Sequence, residues 1–164
     1  MKNNNSIKPV VAVGIGAALF FVLGRFVAIP SPVPNTNISL QYAVLALLAA
    51  MYGPVVGGLI GFIGHTLIDL SWGGSPWWSW VIASAFVGVV VGLFAKKLDL
   101  QEGEFGKKKM AAFTVANIAA HLLAWIVVAP VLDILIYAEP VKKVFAQGAF
   151  AAVSNIITAV VVGG

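Results

Sequence analysis

The stretch from Gly53 to Leu93 reads GPVVGGLIGFIGHTLIDLSWGGSPWWSWVIASAFVGVVVGL and holds two long apolar runs on either side of a short polar turn. A membrane-spanning helix needs about 20 mostly apolar residues, with a range of roughly 17–25. The runs Val55–Leu70 and Trp77–Ala95 approach that length, so both are predicted to be spanning helices. Glycine and proline in the SWGGSP linker are typical of a tight turn. The stretch therefore predicts two neighbouring helices that cross a bilayer in opposite directions.

The composition of the whole chain agrees with this interpretation. Of 164 residues, 60% are hydrophobic and only 10% are charged, and the mean hydropathy is +0.99. Soluble domains carry about 25% charged residues, and a short chain can bury only part of its surface. The absence of cysteine excludes disulfides and thiolate metal sites, and no metal or cofactor is expected. We predict an all-α integral membrane protein with a single transmembrane domain over residues 1–164.

Apolar runs separated by glycine, proline or lysine predict six transmembrane helices. Their expected bounds are Val10–Ile29, Ser39–Tyr52, Val55–Leu70, Trp77–Ala95, Met110–Val131 and Val144–Gly164. The second segment is short, so five spans plus a re-entrant piece is the alternative. The N-terminal run resembles a signal peptide, but Arg25 interrupts it and no clear cleavage site follows, so we expect it to be retained. The VVVGG end lacks a basic flank, which leaves open whether the natural chain continues past Gly164.

The basic residues predict the orientation of these helices. With a cytoplasmic N-terminus, seven of the ten lysine and arginine residues face inside and three face outside. The inner seven are Lys2, Lys8, Lys96, Lys97, Lys107, Lys108 and Lys109, and the outer three are Arg25, Lys142 and Lys143. The positive-inside rule therefore favours an arrangement with both termini inside. The outer loops are then PSPVPNTN, SWGGSPWW and the stretch Asp133–Lys143.

Polar and aromatic side chains concentrate in the outer half of this predicted bundle. A charge at the centre of a membrane costs about 2.5–3.5 kcal/mol on insertion scales, so such groups suggest function. His65 and Asp69 are four residues apart and share a helix face, where they form either a ligand site or a local pair. The expected substrate-binding residues are Asn37, Gln41, Tyr42, His65, Asp69, Trp77, Trp78 and Trp125. His121 and Asn155, nearer mid-span, are interpreted as interhelical hydrogen-bonding residues.

The tryptophans around the second outer loop have two interpretations. Tryptophan is enriched at the membrane interface, where it needs no ligand. An aromatic ring beside a pocket would instead stack on a flat heterocycle and exclude water. Trp125 lies too deep in its predicted span to be a typical interface residue.

Several familiar sites are absent from the sequence. There is no GxxxxGK[ST], so the chain does not bind ATP through a P-loop, and no HExxH or GxSxG occurs. No catalytic residues are assigned, and the protein is not expected to be an enzyme. The short lysine clusters suit loop orientation better than nucleic-acid binding.

Three stretches together resemble a known family: GIGAALFFVLGRF, IPSPVPNTNISLQYAVLALLAAMYGPVVGGLIGFIGHTLIDL and GSPWWSWVIASAFVGVVVGL. They are similar to the substrate-binding S component of energy-coupling factor (ECF) transporters, especially the riboflavin-type group. The resemblance implies six helices with both termini inside, in the bacterial cytoplasmic membrane among lipid. It implies a vitamin pocket near the outer face, closed by the loop between the first two helices.

The resemblance also implies partners: a transmembrane coupling subunit and two ATPase subunits. Small residues on helix one, at four-residue spacing, match the surface that docks the coupling subunit in that family. These residues are Ala12, Gly14, Gly16 and Ala18. Such spacing lets helix backbones approach closely, although packing within the monomer would use the same residues.

The composition of the expected pocket favours one class of vitamin. Neutral hydrogen-bonding groups and tryptophans, with few cations, suit a flat uncharged pyrimidine or pyridine such as hydroxymethylpyrimidine or pyridoxine. Riboflavin fits the same description and is the alternative substrate. A small self-sufficient carrier or channel is the second class of function, and an intramembrane enzyme is the third.

Overall fold

The computed structural model describes residues 2–33, 37–97 and 106–163, and these residues are almost entirely helical. The helices are α1 (Lys2–Phe26), α2 (Gln41–Tyr52), α3 (Pro54–Ser71), α4 (Trp78–Lys97), α5 (Lys107–Leu122), α6 (Ala129–Tyr137) and α7 (Val141–Gly163). A π-helical segment, Leu123–Val128, joins α5 to α6. Two short strands, β1 (Ile29–Pro30) and β2 (Asn37–Ile38), pair antiparallel in the connection between α1 and α2.

The predicted all-α membrane architecture is confirmed. Five helical stretches of the described chain are long and apolar enough to cross a membrane, and the stretch from α5 through α6 runs for 31 residues. The sixth, α2, has only 12 residues. Leu45, Ala46 and Ala49 of α2 are completely buried, so this short helix lies inside the bundle.

Glycines bring α3 and α4 into backbone contact. A side chain at Gly57 or at Gly88 would collide with the backbone of the other residue, and one at Gly61 would collide with the backbone at Ser84. Without a hydrophobic driving force between helices in lipid, such close approach is a main source of packing energy. The four-residue spacing of these glycines therefore serves packing inside the monomer.

The fifth predicted span differs from the observed one. It was expected to stop near Pro130, with Asp133 already in the outer loop, and both expectations were wrong: the helix continues to Tyr137. Proline removes one backbone hydrogen bond and crowds the preceding turn. The π-helical segment directly before Pro130 widens that turn, which lets the helix continue. Asp133 is consequently held rigidly on α6.

The two ends of the bundle differ in chemistry. The C-termini of α1, α3 and α6 lie at the same end as the N-termini of α2, α4 and α7, together with the tryptophan-rich turn before α4. The last turn of α4 carries Lys96 and Lys97, and α5 begins with Lys107, at the opposite end. The chain therefore separates a basic end from an aromatic and polar end.

Candidate functional site

A cavity of about 860 Å³ lies at the aromatic and polar end of the bundle. The connection between α1 and α2 covers one side, with Ser31 and Val33 among the lining residues, and residues of α1, α2, α3, α4 and α7 line the rest. Ligand pockets for small molecules range from about 300 to 1,000 Å³. The volume is therefore sufficient for a small organic molecule of more than one ring.

The inner wall of the cavity is a chain of hydrogen bonds between α2, α3 and α4. The Tyr42 hydroxyl lies 2.7 Å from the Ser84 hydroxyl, which lies 2.5 Å from His65 Nδ1. His65 Nε2 is 3.6 Å from an Asp69 carboxylate oxygen. If Tyr42 donates to Ser84 and Ser84 donates to Nδ1, the remaining imidazole proton is on Nε2 and points to Asp69. This arrangement satisfies Tyr42, Ser84 and His65 Nδ1 with hydrogen bonds, places no net positive charge on the imidazole, and leaves Nε2 in a longer electrostatic contact with Asp69.

Gln41 lies beside this chain at the start of α2. Its Oε1 accepts a hydrogen bond of 2.5 Å from the Ser39 hydroxyl, and both side chains line the cavity. A side chain at Gly24 would collide with the Gln41 amide. The glycine near the end of α1 therefore leaves the space in which the amide sits.

Tryptophans form a second wall. Trp72, Trp77 and Trp80 line the cavity. The backbone N–H of Trp77 donates to Asp69 Oδ2 over 2.8 Å, and its ring stacks on Tyr137 with centroids 3.8 Å apart. Trp72 stacks instead under the Arg25 guanidinium at 3.7 Å. The wall is thus held by contacts from α1, α3 and α6.

One face of α7 supplies a row of cavity residues that the sequence analysis did not assign to the site. Lys143, Gln147, Ala151 and Asn155 are spaced by four residues and all line the cavity. Lys143 also forms an ion pair of 3.0 Å with Glu139, a fifth lining residue. The four-residue spacing of polar side chains is a signal of a shared helix face that could have identified this row.

The structure brings together five of the eight substrate-binding residues expected from sequence: Gln41, Tyr42, His65, Asp69 and Trp77. Trp78 lies outside, packed against Phe62 with centroids 6.2 Å apart. Trp125 does not line the cavity but lies fully buried behind it, edge-on to Tyr42. The side chain of Asn37 lies outside the described residues.

His121 differs from its expected interhelical role, whereas the interhelical role of Asn155 stays a prediction. His121 Nδ1 accepts a hydrogen bond of 2.9 Å from Trp125 Nε1 one turn along the same helix, so the expectation of an interhelical bond was wrong for this nitrogen. His121 packs edge-on against Tyr42 behind the cavity. Asn155 faces the cavity itself. Both polar groups therefore belong to the site or its support.

The four small residues of α1 do not share one face. Ala12 and Gly16 are buried, and a side chain at Gly16 would collide with Ile60 and Leu48. Gly14 and Ala18 are exposed, and nothing lies within 4 Å of a side chain built at Gly14. Within the described chain, only the second pair is free to meet a partner.

The comparisons with known proteins agree with this architecture. The family model described as ECF-type riboflavin transporter, S component, matches residues 4–164. The chain belongs to this S-component family. It is therefore the substrate-specific subunit of an ECF transporter and not an enzyme, and it resides in the cell membrane as a multi-pass protein.

Relatives that share at least half of their aligned residues with this chain have names that state no substrate. The S component is 50% identical to a UPF0397 protein of Enterococcus faecalis over 99% of this chain and 89% of the relative. It is 55% identical to one from an Exiguobacterium species, over 98% of this chain and 88% of the relative. A third, from Streptococcus agalactiae, is 55% identical over 99% and 88%.

A solved structure shows the same fold. The crystal structure of the S component for biotin from an ECF-type ABC transporter superposes with a TM-score of 0.65, covering 99% of this chain and 93% of that one. The two sequences are 19% identical, so the likeness concerns the fold alone.

Proposed function

We propose that this S component captures a water-soluble vitamin, or a vitamin precursor, built on a flat nitrogen heterocycle. The favoured class is a pyrimidine or pyridine such as hydroxymethylpyrimidine or pyridoxine. The observation that supports this most is the combination in one cavity of a tryptophan wall and a row of hydrogen-bonding groups. Faces of aromatic rings favour stacking, and convergent polar groups fix the edge of a bound ring.

The tryptophan wall supports a ring-shaped ligand. Trp77 and Trp80 come from the turn before α4 and from its first helical turn, so two indoles border one space. Tyr137 already covers one face of Trp77, which leaves the other side for contact with a ligand. An aliphatic ligand would not benefit from the stacking geometry that these rings offer.

The polar wall supports a ligand that carries N–H or O–H donors. Asp69 is a carboxylate with acceptor capacity beyond the Trp77 backbone bond, because each carboxylate oxygen has two lone pairs. Lys143 and Glu139 pair with each other, so their charges offset within the cavity. A neutral ring with amino or hydroxyl substituents matches these groups better than a polyanion does.

Riboflavin is the second candidate, and two observations favour it. The description of the matching family model names riboflavin. A cavity of about 860 Å³ also has room for a ligand with more than one fused ring. A single six-membered ring would leave part of that space to water.

Equilibrium binding to the purified protein tests the proposal. We expect hydroxymethylpyrimidine or pyridoxine to bind with one-to-one stoichiometry by calorimetry, more tightly than riboflavin. Tighter binding of riboflavin would replace the favoured class by the second candidate. Binding of none of the three would contradict the heterocycle proposal.

We also propose an outward-facing cavity and a division of labour among subunits. The basic end of the bundle is predicted to lie in the cytoplasm, which leaves the cavity at the outer face. S components in general act with a transmembrane coupling subunit and ATPases, and for this chain we propose such a coupling subunit and two ATPase subunits. The exposed Gly14 and Ala18 on α1 are the proposed contact with the coupling subunit.

A further inference from the structure

A single buried carboxylate contacts two of the three tryptophans around the start of α4, Trp77 and Trp80. Trp77 Nε1 donates to Asp133 Oδ1 over 2.7 Å, and Trp80 Nε1 donates to Oδ2 over 3.1 Å. The Ser79 hydroxyl also donates to Oδ1. Asp133 is buried, with 1% of the residue exposed. Three neutral donors from one segment therefore surround one acceptor on a different helix.

We infer that Asp133 is a positioning residue that fixes the indoles of Trp77 and Trp80 in the geometry needed for ligand binding. This inference rests on the proposed function, because it assumes that the ligand ring meets these two indoles. Burying a carboxylate is costly unless it is hydrogen-bonded, so the three bonds hold the indoles strongly to it. Bonds to a charged acceptor are shorter and stronger than neutral ones.

Neighbouring contacts make α6 a rigid support for this acceptor. Tyr137, one turn after Asp133, stacks on the Trp77 ring, and its hydroxyl accepts the backbone N–H of Trp78 over 3.0 Å. The backbone N–H of Glu139 donates to the Asp133 carbonyl at the end of the helix. The turn before α4 is therefore attached to α6 at several points rather than by packing alone.

The π-helical segment explains how the carboxylate reaches this position. Leu123–Val128 lies one turn before Asp133, and Trp125 within it packs against Trp80 with centroids 4.9 Å apart. Without continuation of the helix past Pro130, Asp133 would lie in a loop. Its acceptor atoms would then have no fixed relation to the two indoles.

The substitution Asp133→Asn distinguishes positioning from general support. An amide keeps one oxygen acceptor but presents an N–H₂ group where the second indole N–H points, so one indole loses its partner. We expect ligand affinity to fall on the order of tenfold. Thr114→Val is the matched control, since that hydroxyl bonds only within its own helix at the other end of α5. The ligand affinity of the Thr114→Val variant should stay at the wild-type value.

Indole N–H resonances provide a readout that does not need a ligand. The protein has five tryptophans, so ¹⁵N-labelled indoles give five resonances, and Trp77→Phe and Trp80→Phe assign the two of interest. Asp133→Asn should move the resonances of Trp77 and Trp80 and leave that of Trp72 in place. If neither moves, Asp133 does not hold the indoles and the inference is wrong.

A double-substitution cycle completes the test, using whichever of hydroxymethylpyrimidine, pyridoxine and riboflavin binds the wild type most tightly. If Asp133 acts through the indoles, the affinity losses of Asp133→Asn and Trp80→Phe should be less than additive. Shifted resonances with unchanged affinity would overturn the positioning role.

Should Asp133→Asn fail to fold, Ser79→Ala removes one of the three bonds to Asp133 and keeps both indoles, so the Trp77 and Trp80 resonances and the ligand affinity of that variant carry the test. Should the wild type bind none of the three molecules, the proposed function fails, and the indole spectra alone decide whether Asp133 fixes the tryptophans.

Discussion

Trp77 and Trp78 are adjacent in sequence, yet only one of them belongs to the cavity. Trp77 lines it, whereas Trp78 packs outward against Phe62 and is 42% exposed. The pair therefore offers a matched comparison in which the change in side chain is identical.

We expect Trp77→Ala to weaken binding of the heterocycle and Trp78→Ala to leave it near the wild-type value. An aromatic contact contributes about 0.5–1.5 kcal/mol beyond area burial, which corresponds to a loss of roughly two- to tenfold. Calorimetric titration of both variants measures the difference, and thermal melting checks that both are folded. Equal losses in the two variants would place the ligand elsewhere.

At the residue scale, the sequence was sufficient to identify polar side chains that lie within apolar, membrane-spanning segments. His65 and Asp69 were recognisable because their spacing gives a shared face and their depth makes them costly. It could not separate Trp77 from Trp78, because that depends on where the tight SWGGSP turn ends and α4 begins. Nor did it assign Asp133 to a helix, since Pro130 was expected to end the preceding span.

The close packing of α3 against α4 depends on contact between their backbones. Gly57 and Gly88 meet backbone to backbone, and no side chain fits between them. A side chain built at Gly14 of α1 would have no atom within 4 Å, so substitution of Gly14 is the control for substitution of Gly88.

Gly88→Val should therefore destabilise the fold, whereas Gly14→Val should not. Overpacking costs about 1–3 kcal/mol, so we expect a melting temperature lower by on the order of 5 °C for Gly88→Val. Thermal unfolding in one detergent compares the two variants. A melting temperature unchanged by Gly88→Val would mean that α3 and α4 are not in close contact.

At the element scale, the apolar runs predicted the existence of all six segments, and most of their ends fall within a few residues of the observed ones. Predicted and observed bounds are close for α3 and α4, because glycine, proline and lysine punctuate them. The largest misses were α1, which begins eight residues before its predicted start, and the helix containing Pro130. A π-helical turn compensates for the proline, and nothing in local residue preferences indicates such a turn.

Orientation is a property of the whole molecule, and it determines which side the cavity serves. Ser75 lies in the turn beside the cavity, and Gly106 precedes α5 at the basic end. In intact cells, we expect Ser75→Cys to react with a membrane-impermeant thiol reagent and Gly106→Cys to react only after lysis. The 164-residue sequence has no cysteine to interfere. The reverse pattern would place the cavity at the cytoplasmic face.

Docking to a partner should depend on the exposed face of α1. We expect Gly14→Leu to preserve binding of the heterocycle by the purified protein but to lower uptake in cells that contain the coupling subunit and ATPases. The larger side chain would hold the backbone of the partner away. Leu135→Ala, an exposed apolar position on α6, is the control and should retain uptake. Wild-type uptake by Gly14→Leu would place the docking surface elsewhere.

The central claim is that this chain captures its ligand but moves it only with energy-supplying partners. Its most direct test measures labelled hydroxymethylpyrimidine or pyridoxine in proteoliposomes that contain this protein, with and without the coupling subunit, the ATPases and ATP. We predict saturable binding by this protein alone, without accumulation in the lumen, and accumulation when partners and ATP are added. Accumulation or equilibration across the membrane by the isolated chain would contradict the account and favour a self-sufficient carrier.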